Sequence, residues 1–524
     1  MRYFPLLLLS LLFACQSQQE YDILILNGTV YAGDGEQGKA KDIGILGDQI
    51  IEIGDLQSAK AKRIIDAKGM AVSPGFIDLH THLDPIFELS TCESHIRQGV
   101  TTALGGPDGG GPWPFGAYLD SLKNVGMGLN VGYLVGHNRV RGNVMQLENR
   151  DPTEEELEEM KAQIELAMEE GAFGISTGLK YLPGTFSKLE EVIALSRVAA
   201  DKGGFYTSHL REEGLGLLAG VQEAIIISEQ AEIPVVLTHH KVVGKPMWGS
   251  SKKTLFLVDS ARKAGLDIMI DQYPYTASHT GISILIPNWA QAGGRPAFTK
   301  RLKDPILKDS IKKQILFNII NDRGGADLKR IQFSRVSWNP ELEGKTMYDW
   351  CIMEGIEPSL ENGADMVIKA QVSGGTGTIF HAMDEADVAR IMQHPYTMVA
   401  SDGRLSEPGR GHPHPRAYGT FSRILDKYVR EEKVLELEEA IRKMTSLPAF
   451  RMGLSDRGLI KEGYKADISI FDPANVKEMG TFSEPHQYPS GIPWVLVNGQ
   501  IAVDNGKFMG IKAGEVLYGP AKKP

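Results

Sequence analysis

Phe76-Ile77-Asp78-Leu79-His80-Thr81-His82 is the stretch from which the fold can be read. Side chains at i and i+2 of a strand share a face, so His80 and His82 point together while Ile77 and Leu79 turn to the opposite, apolar side. Pro74-Gly75 supplies the break from which such a strand starts. Two imidazoles converging from the end of one buried strand are half of a site for zinc or a similar divalent ion. An accidental pair would have no partners downstream, so the rest of the chain decides.

From Gly75 to about Arg430, short β-rich runs ending in polar residues alternate with amphipathic helical stretches. That is the pattern of a (β/α)8 barrel, an α/β fold. The strands are expected to end near His82, Leu104, Val135, Lys180, His209, His239, Tyr273 and Asp402. The clearest helix runs from Thr153 to Gly171, opened by a capping threonine with an acidic first turn and closed by glycine. Between Tyr273 and Asp402 lie far more residues than one helix needs, and residues 287–395 read as an insertion at the barrel mouth that includes the seventh helix. Alternating short strands flank the barrel, with Asn-Gly turns at Asn27-Gly28 and Asn498-Gly499. They predict one small β-sandwich built from both chain ends: residues 21–73 before a catalytic barrel of residues 74–432, and residues 433–524, with a terminal helix, after it.

In a parallel barrel the C-terminal strand ends share one mouth, so residues distant in sequence meet there. Ser208-His209 closes the fifth strand, Thr238-His239-His240-Lys241 the sixth, and Ala400-Ser401-Asp402-Gly403 the eighth. With His80 and His82 these place four imidazoles and a carboxylate at one rim, a donor set suited to a divalent metal. Strand alternation lets only one of His239 and His240 face the lumen and does not choose between them.

At 524 residues the chain exceeds one compact core. Its net charge of −10, with no basic arm or stripe, argues against a nucleic-acid partner. Residues 1–20 read as an export signal and linker, with Arg2 followed by an apolar run from Leu6 to Leu12. Leu12, Ala14 and Cys15 resemble a bacterial lipobox, in which Cys15 is lipidated and becomes the mature N-terminus; Phe13 is less usual there. Gln16 after the cysteine suggests outer-membrane sorting by resemblance to known lipoproteins, so the expected location is lipid-anchored, facing the periplasm or exterior. No later segment reaches the roughly 20 apolar residues of a membrane helix. Cys92 and Cys351 remain as the only other thiols, and nothing in the sequence brings them together.

Pro74 to Asp84, Ser208-His209, Thr238-His239-His240-Lys241, Asp271-Gln272-Tyr273-Pro274-Tyr275, Ser401-Asp402-Gly403 and His414-Pro415-Arg416-Ala417-Tyr418-Gly419-Thr420-Phe421 together resemble the amidohydrolase superfamily. Within it they resemble the N-acyl-D-amino-acid deacylases (D-aminoacylases). His-x-His marks only the superfamily; the Tyr-Pro-Tyr and His-Pro-Arg segments are more specific. The resemblance implies one or two zinc ions, or another divalent metal, held by His80, His82, His209, His239 and Asp402, and its Ser/Thr-His-x-Lys pattern selects His239. It implies that Asp402 also carries the proton, and that Lys241, Tyr273 and Arg416 hold the α-carboxylate of a small N-acylated D-amino acid. The expected reaction is hydrolysis of that substrate's linear amide bond. The oligomeric state is not legible.

One departure stands out. Related D-aminoacylases carry a metal-bridging cysteine in a Gly-Asn-Cys-Gly turn after the second strand, where this chain has Gly106-Pro107-Asp108-Gly109. Asp108 could supply oxygen instead, or Lys180 could, since other amidohydrolases bridge two metals with a carboxylated lysine at the fourth strand; Lys180 is the preferred bridge. Two other readings stand beside the deacylase: a dipeptidase or cyclic-amide hydrolase of the same superfamily, and a lipid-anchored binding protein that keeps the barrel without catalysis.

Overall fold

The computed structural model describes residues 20–523, so Cys15 and the expected export signal lie outside the described residues. The barrel strands are Phe76–Asp78, Val100–Gly105, Asn130–Tyr133 continued by Val135–Gly136, Gly174–Gly178, Phe205–His209, Val235–Leu237, Ile268–Gln272 and Thr397–Val399. Neighbours pair in parallel. The ring closes where Gly403–Arg404 pairs in parallel with Thr81–His82, beside a bond from the Asp402 N–H to the His80 carbonyl of 2.9 Å. Alternation along each strand divides the core. Val235 and Leu237 join a cluster that includes the helix residues Val221, Ala224 and Val258, whereas Val236 joins Leu104, Phe173, Phe205, Met269 and Met398 inside the barrel.

The first strand departs from the sequence expectation. Its ladder stops at Asp78, and His80 lies in a bend before pairing resumes at Thr81. Ile77 and Leu79 pack in the barrel interior. Continuous alternation is therefore not what brings the imidazoles together. The buried Asp78 carboxylate turns the chain, accepting the His80 N–H at 3.3 Å and the Ser401 N–H at 2.9 Å. The fourth strand ends at Gly178, two residues short of Lys180. The helix expected from Thr153 forms over Glu154–Glu170, with a reciprocal cap between Thr153 and Glu156 and Gly171 in a left-handed conformation at its end.

Two sheets form the sandwich. One has the order Gln49–Gly54, Asp42–Leu46, Glu20–Leu26, Lys60–Asp66 and comes from the N-terminal end alone. The other runs Lys507–Phe508, Gln500–Asp504, Trp494–Val497, Ile468–Phe471, Ala71–Pro74, Thr29–Val30, Lys39–Ala40, and mixes both ends. Their facing side chains, among them Ile23, Ile43, Ile45, Val72, Ile468 and Leu496, make one buried cluster. The segment between the seventh and eighth barrel strands holds a three-stranded antiparallel sheet, with Gly377–Phe380 between Ser278–Gly281 and Ile331–Arg335. Its first strand precedes the start expected at residue 287. Helices including Pro305–Asn321 and Leu360–Ser373 cover this sheet over a separate core that contains Phe333, Trp350 and Phe380. Cys92 and Cys351 are buried free thiols in different cores. Among the described residues no helix is long and apolar enough to cross a membrane.

A buried polar knot joins sandwich to barrel. Asp467 accepts from Arg457 at 2.5 Å, from Asn130 at the start of the third barrel strand at 3.0 Å, and from the Asn498 N–H at 2.7 Å. All four residues are buried. Asp467→Ala removes the buried carboxylate of the Arg457 guanidinium and leaves it only the more exposed Glu515 at 3.3 Å and Asp456 at 3.5 Å, a loss that costs up to about 3–5 kcal/mol when one partner of a buried pair is removed. Thermal melting is expected to show a clear drop for Asp467→Ala and a smaller one for Asp467→Asn; an unchanged midpoint for both would show that the knot does not secure the sandwich.

Candidate metal centre

Asp108 occupies the turn after the second barrel strand, and that turn has little freedom. Gly106 and Gly109 both have positive φ, at 74° and 72°. A Cβ on Gly106 would meet the Leu134 carbonyl oxygen at 2.4 Å, and one on Gly109 would meet the Asn138 side chain at 2.0 Å. Ser176 of the fourth strand clamps the turn from below: its hydroxyl donates to the Gly106 carbonyl at 2.6 Å and accepts the Gly109 N–H at 3.1 Å. Asp108 itself is held at φ 55°.

Four imidazoles converge on this carboxylate. His80 Nε2 lies 3.6 Å from Oδ1, His82 Nε2 3.6 Å from Oδ2, His209 Nδ1 3.5 Å from Oδ1 and His239 Nε2 3.2 Å from Oδ1. Asp402 Oδ1 stands 3.6 Å from His80 Nε2 and 3.2 Å from His82 Nε2. Two candidate ligand groups result, His80, His82, Asp108 and Asp402 in one and Asp108, His209 and His239 in the other, with Asp108 common to both. Apart from the 3.2 Å contacts, which are hydrogen-bond length, these spacings are long for hydrogen bonds, and all match ligands sharing an ion, since donors tetrahedrally placed about 2.0–2.1 Å from zinc lie about 3.3 Å apart. His80 Nε2 and both ring nitrogens of His209 are buried without a hydrogen-bond partner. Polar atoms are not left so without reason, and the residues fit a divalent cation.

The electrostatics agree. Burial lowers the His80 imidazole to about 3, keeping it neutral as a ligand must be. Burial and the Lys241 ammonium lower His239, yet Asp108 and Glu213 outweigh them and carry it up to about 10. That excess of negative potential is what a cation would answer. Burial alone would raise the Asp402 carboxyl, but the Arg416 guanidinium, His82, His239 and His80 hold it well below the usual carboxylate range. Arg416 Nη1 lies 2.8 Å from Asp402 Oδ2, and its guanidinium sits 4.7 Å from the centre of the Tyr273 ring, whose hydroxyl is buried without a partner.

His239 is in the cluster, while His240 turns to Thr254 Oγ1 at 2.9 Å. Asp271 sets the difference, accepting the His239 N–H at 2.5 Å and leaving that residue at φ 36°. The preference for Lys180 over Asp108 is not met. Lys180 Nζ lies 2.8 Å from each Glu212 carboxylate oxygen and belongs to neither ligand group. Its position beyond the end of the fourth strand lets it reach across to the loop after the fifth. Lys241 is likewise committed, buried against Glu213 and 2.9 Å from the His239 carbonyl. Glu213 escaped the sequence reading because Glu212-Glu213 looks like a solvated acidic pair; its only signal is a spacing of four residues from His209.

A cavity of about 990 Å³ opens onto one side of the cluster. His82, Asp108, Asp402 and Arg416 line it from the barrel, and His279, Ser334, Arg335 and Gly377 from the inserted sheet. Lys241 and Tyr273 lie behind this surface rather than on it.

Comparison with known proteins accords with this architecture. Residues 63–294 and 358–503 match the Amidohydrolase family. A D-aminoacylase from Alcaligenes xylosoxydans xylosoxydans is 35% identical over 523 residues, covering 95% of this chain and 98% of that protein. The crystal structure of N-acyl-D-glutamate deacylase from Bordetella bronchiseptica, complexed with zinc and a phosphonate mimic of the tetrahedral intermediate, superimposes with a TM-score of 0.82 at 32% identity, covering 95% of this chain and all of that one. A D-aminoacylase structure concerned with a binuclear metal centre gives 0.81 at 33% identity, again over 95% and 100%. The chain therefore belongs to the amidohydrolase family, in its N-acyl-D-amino-acid deacylase branch.

Proposed function

We propose that this protein is a zinc-dependent deacylase that hydrolyses N-acyl-D-amino acids to a carboxylic acid and a free D-amino acid. The observation that carries the reading is the pair of ligand groups joined at Asp108, with Arg416 2.8 Å from Asp402 on the cavity side. Asp108 takes the position where similar enzymes place a cysteine, and its two oxygens face different imidazoles, which suits it to bridge two ions. A divalent ion held there supplies the Lewis acidity that makes water reactive near neutral pH and polarises an amide carbonyl.

The protein's own residues do the rest. Asp402, kept ionised by Arg416 and the imidazoles, accepts the attacking water's proton and returns it to the departing amide nitrogen. Arg416, at the cavity wall, presents a planar fork of donors to the substrate's α-carboxylate. Tyr273 lies against that guanidinium from behind the cavity surface and supports its position. The inserted sheet closes the cavity opposite the ligands, where the side chain and acyl tail of a substrate have to fit. The leader read from the sequence extends the proposal to location: an exported enzyme anchored through lipid on Cys15.

Purified zinc-loaded protein is expected to hydrolyse N-acetyl-D-amino acids in preference to their L counterparts; preference for L, or turnover of neither, would remove the assignment. Asp402→Asn is expected to lower kcat by at least about 10²-fold, the lower end for a general acid–base group, and undiminished turnover would exclude Asp402 as the proton carrier. Zinc analysis separates the two bridging candidates. Asp108→Ala is expected to lose zinc relative to wild type while Lys180→Ala keeps it, and the reverse pattern would reinstate Lys180.

A further inference from the structure

Glu213 stands on the far side of two imidazoles from Asp108. Its Oε1 is 3.3 Å from His239 Nδ1 and its Oε2 is 3.6 Å from His209 Nε2. The opposite nitrogens of the same rings, His239 Nε2 and His209 Nδ1, face Asp108. A neutral imidazole has one N–H and one bare nitrogen, and only the bare one ligates a cation. Which nitrogen is bare depends on what accepts the proton of the other. We infer that Glu213 is a positioning residue: its carboxylate faces the remote nitrogens of His239 and His209, draws their protons to that side and so presents the bare nitrogens toward Asp108. This rests on the metal-site reading proposed above.

The neighbourhood makes that role specific. Lys241 Nζ lies 2.6 Å from His239 Nδ1. An ammonium is a donor only, so by itself it would favour a bare Nδ1 and drive the proton to Nε2, the nitrogen the cation needs. Glu213 removes the conflict. Its charge 3.3 Å from Nδ1 favours a proton there, and it also takes a hydrogen from Lys241, whose other bonds go to the His239 carbonyl at 2.9 Å and toward Nδ1 itself. Glu213 is in turn held by Arg323, whose Nη2 lies 3.0 Å from Oε2. Arg323 comes from the inserted segment, so that segment reaches under the barrel mouth and fixes the carboxylate on which two ligand rings depend. Glu213, Lys241 and Arg323 are all buried, and no water competes for these bonds at bulk strength.

The test reads zinc, not turnover. Full-length wild type, Glu213→Gln, Lys241→Met and the double variant are loaded with zinc and dialysed at fixed pH against graded chelator; zinc per chain is measured by atomic emission, with thermal melting as a check on folding. Glu213→Gln is expected to weaken zinc retention about 10- to 100-fold, the range for partners of metal-binding histidines. Lys241→Met should retain zinc like wild type. The double variant should fall between the two, because removing the competing ammonium relieves part of the defect. A general structural defect would not be relieved by a second core substitution. Wild-type retention in Glu213→Gln, or a double variant no better than Glu213→Gln, overturns the inference. Should Glu213→Gln not fold, the double variant is compared with Lys241→Met: weaker retention supports the role of Glu213 and equal retention overturns it. Wild-type protein that holds no zinc would overturn the metal reading itself, and this inference with it.

Discussion

Four imidazoles brought within 3.2 to 3.6 Å of one carboxylate are the constraint around which this molecule is arranged. The rings come from the first, fifth and sixth barrel strands, and they would not share so small a volume without the negative charge of Asp108 and Asp402 between them. The backbone bears a strain for it. Asp108, His239 and Asp402 all have positive φ, at 55°, 36° and 46°, a region that costs a residue with a side chain about 1–3 kcal/mol. Such conformations persist only where the surroundings over-determine them. Here Ser176 clamps the Asp108 turn, Asp271 fixes the His239 amide, and the His80 carbonyl receives the Asp402 N–H. Each strained residue is thus bound by another part of the barrel rim, so the barrel's closure and the ligand geometry are one structural fact.

Much of this was legible in the sequence, for identifiable reasons. Barrel strands announce themselves through short apolar runs between amphipathic helices, and the Thr153 helix through its cap chemistry, because both signals are local. Convergence of His80, His82, His209, His239 and Asp402 followed from the rule that parallel barrel strands end at one mouth. The sandwich was legible because its edges carry Asn-Gly turns. Features that depend on a distant neighbour were not. The bend at His80 is made by Asp78 together with Ser401, more than 300 residues away. Lys180 looked available because nothing local shows that Glu212 will pair with it. Glu213 carries no local signal because its partners, Lys241 and Arg323, arrive from another strand and from the insertion. The start of the insertion was set too late because Ser278–Gly281 is a strand only by virtue of pairing with Gly377–Phe380.

Sandwich and insertion grip the barrel differently. The sandwich is tied at Asn130 through Asp467, Arg457 and Asn498, at the end of the third strand remote from the ligands. Its connection is structural, since none of those residues approaches the mouth. The insertion sits at the mouth itself, with its own apolar core, and supplies His279, Ser334 and Arg335 to the cavity wall. Its core takes in Val243, Tyr273 and Tyr275 from the mouth, but its lining residues can change while the barrel strands keep their places. Substrate preference among related enzymes therefore has room to vary in the insertion while the ligand set stays fixed by the strands.

Solvent access divides the ligand cluster into two halves with different tasks. His80, His209 and His239 have side chains 2–3% exposed, whereas His82 is 32% exposed. On the dry side the buried, mutually paired Glu213, Lys241 and Arg323 stand beside His209 and His239. On the wet side His82, Asp402 and Arg416 border the cavity. The reaction proposed above consumes a water and moves a proton, and the cavity on this side is where solvent reaches the cluster. Asp402 and Arg416, 2.8 Å apart, both line the cavity, so under the proposed function an incoming carboxylate would compete with Asp402 for that guanidinium. In the reaction proposed above, that competition would weaken the interaction that most lowers the Asp402 carboxyl and make it a better base when a proton has to be taken.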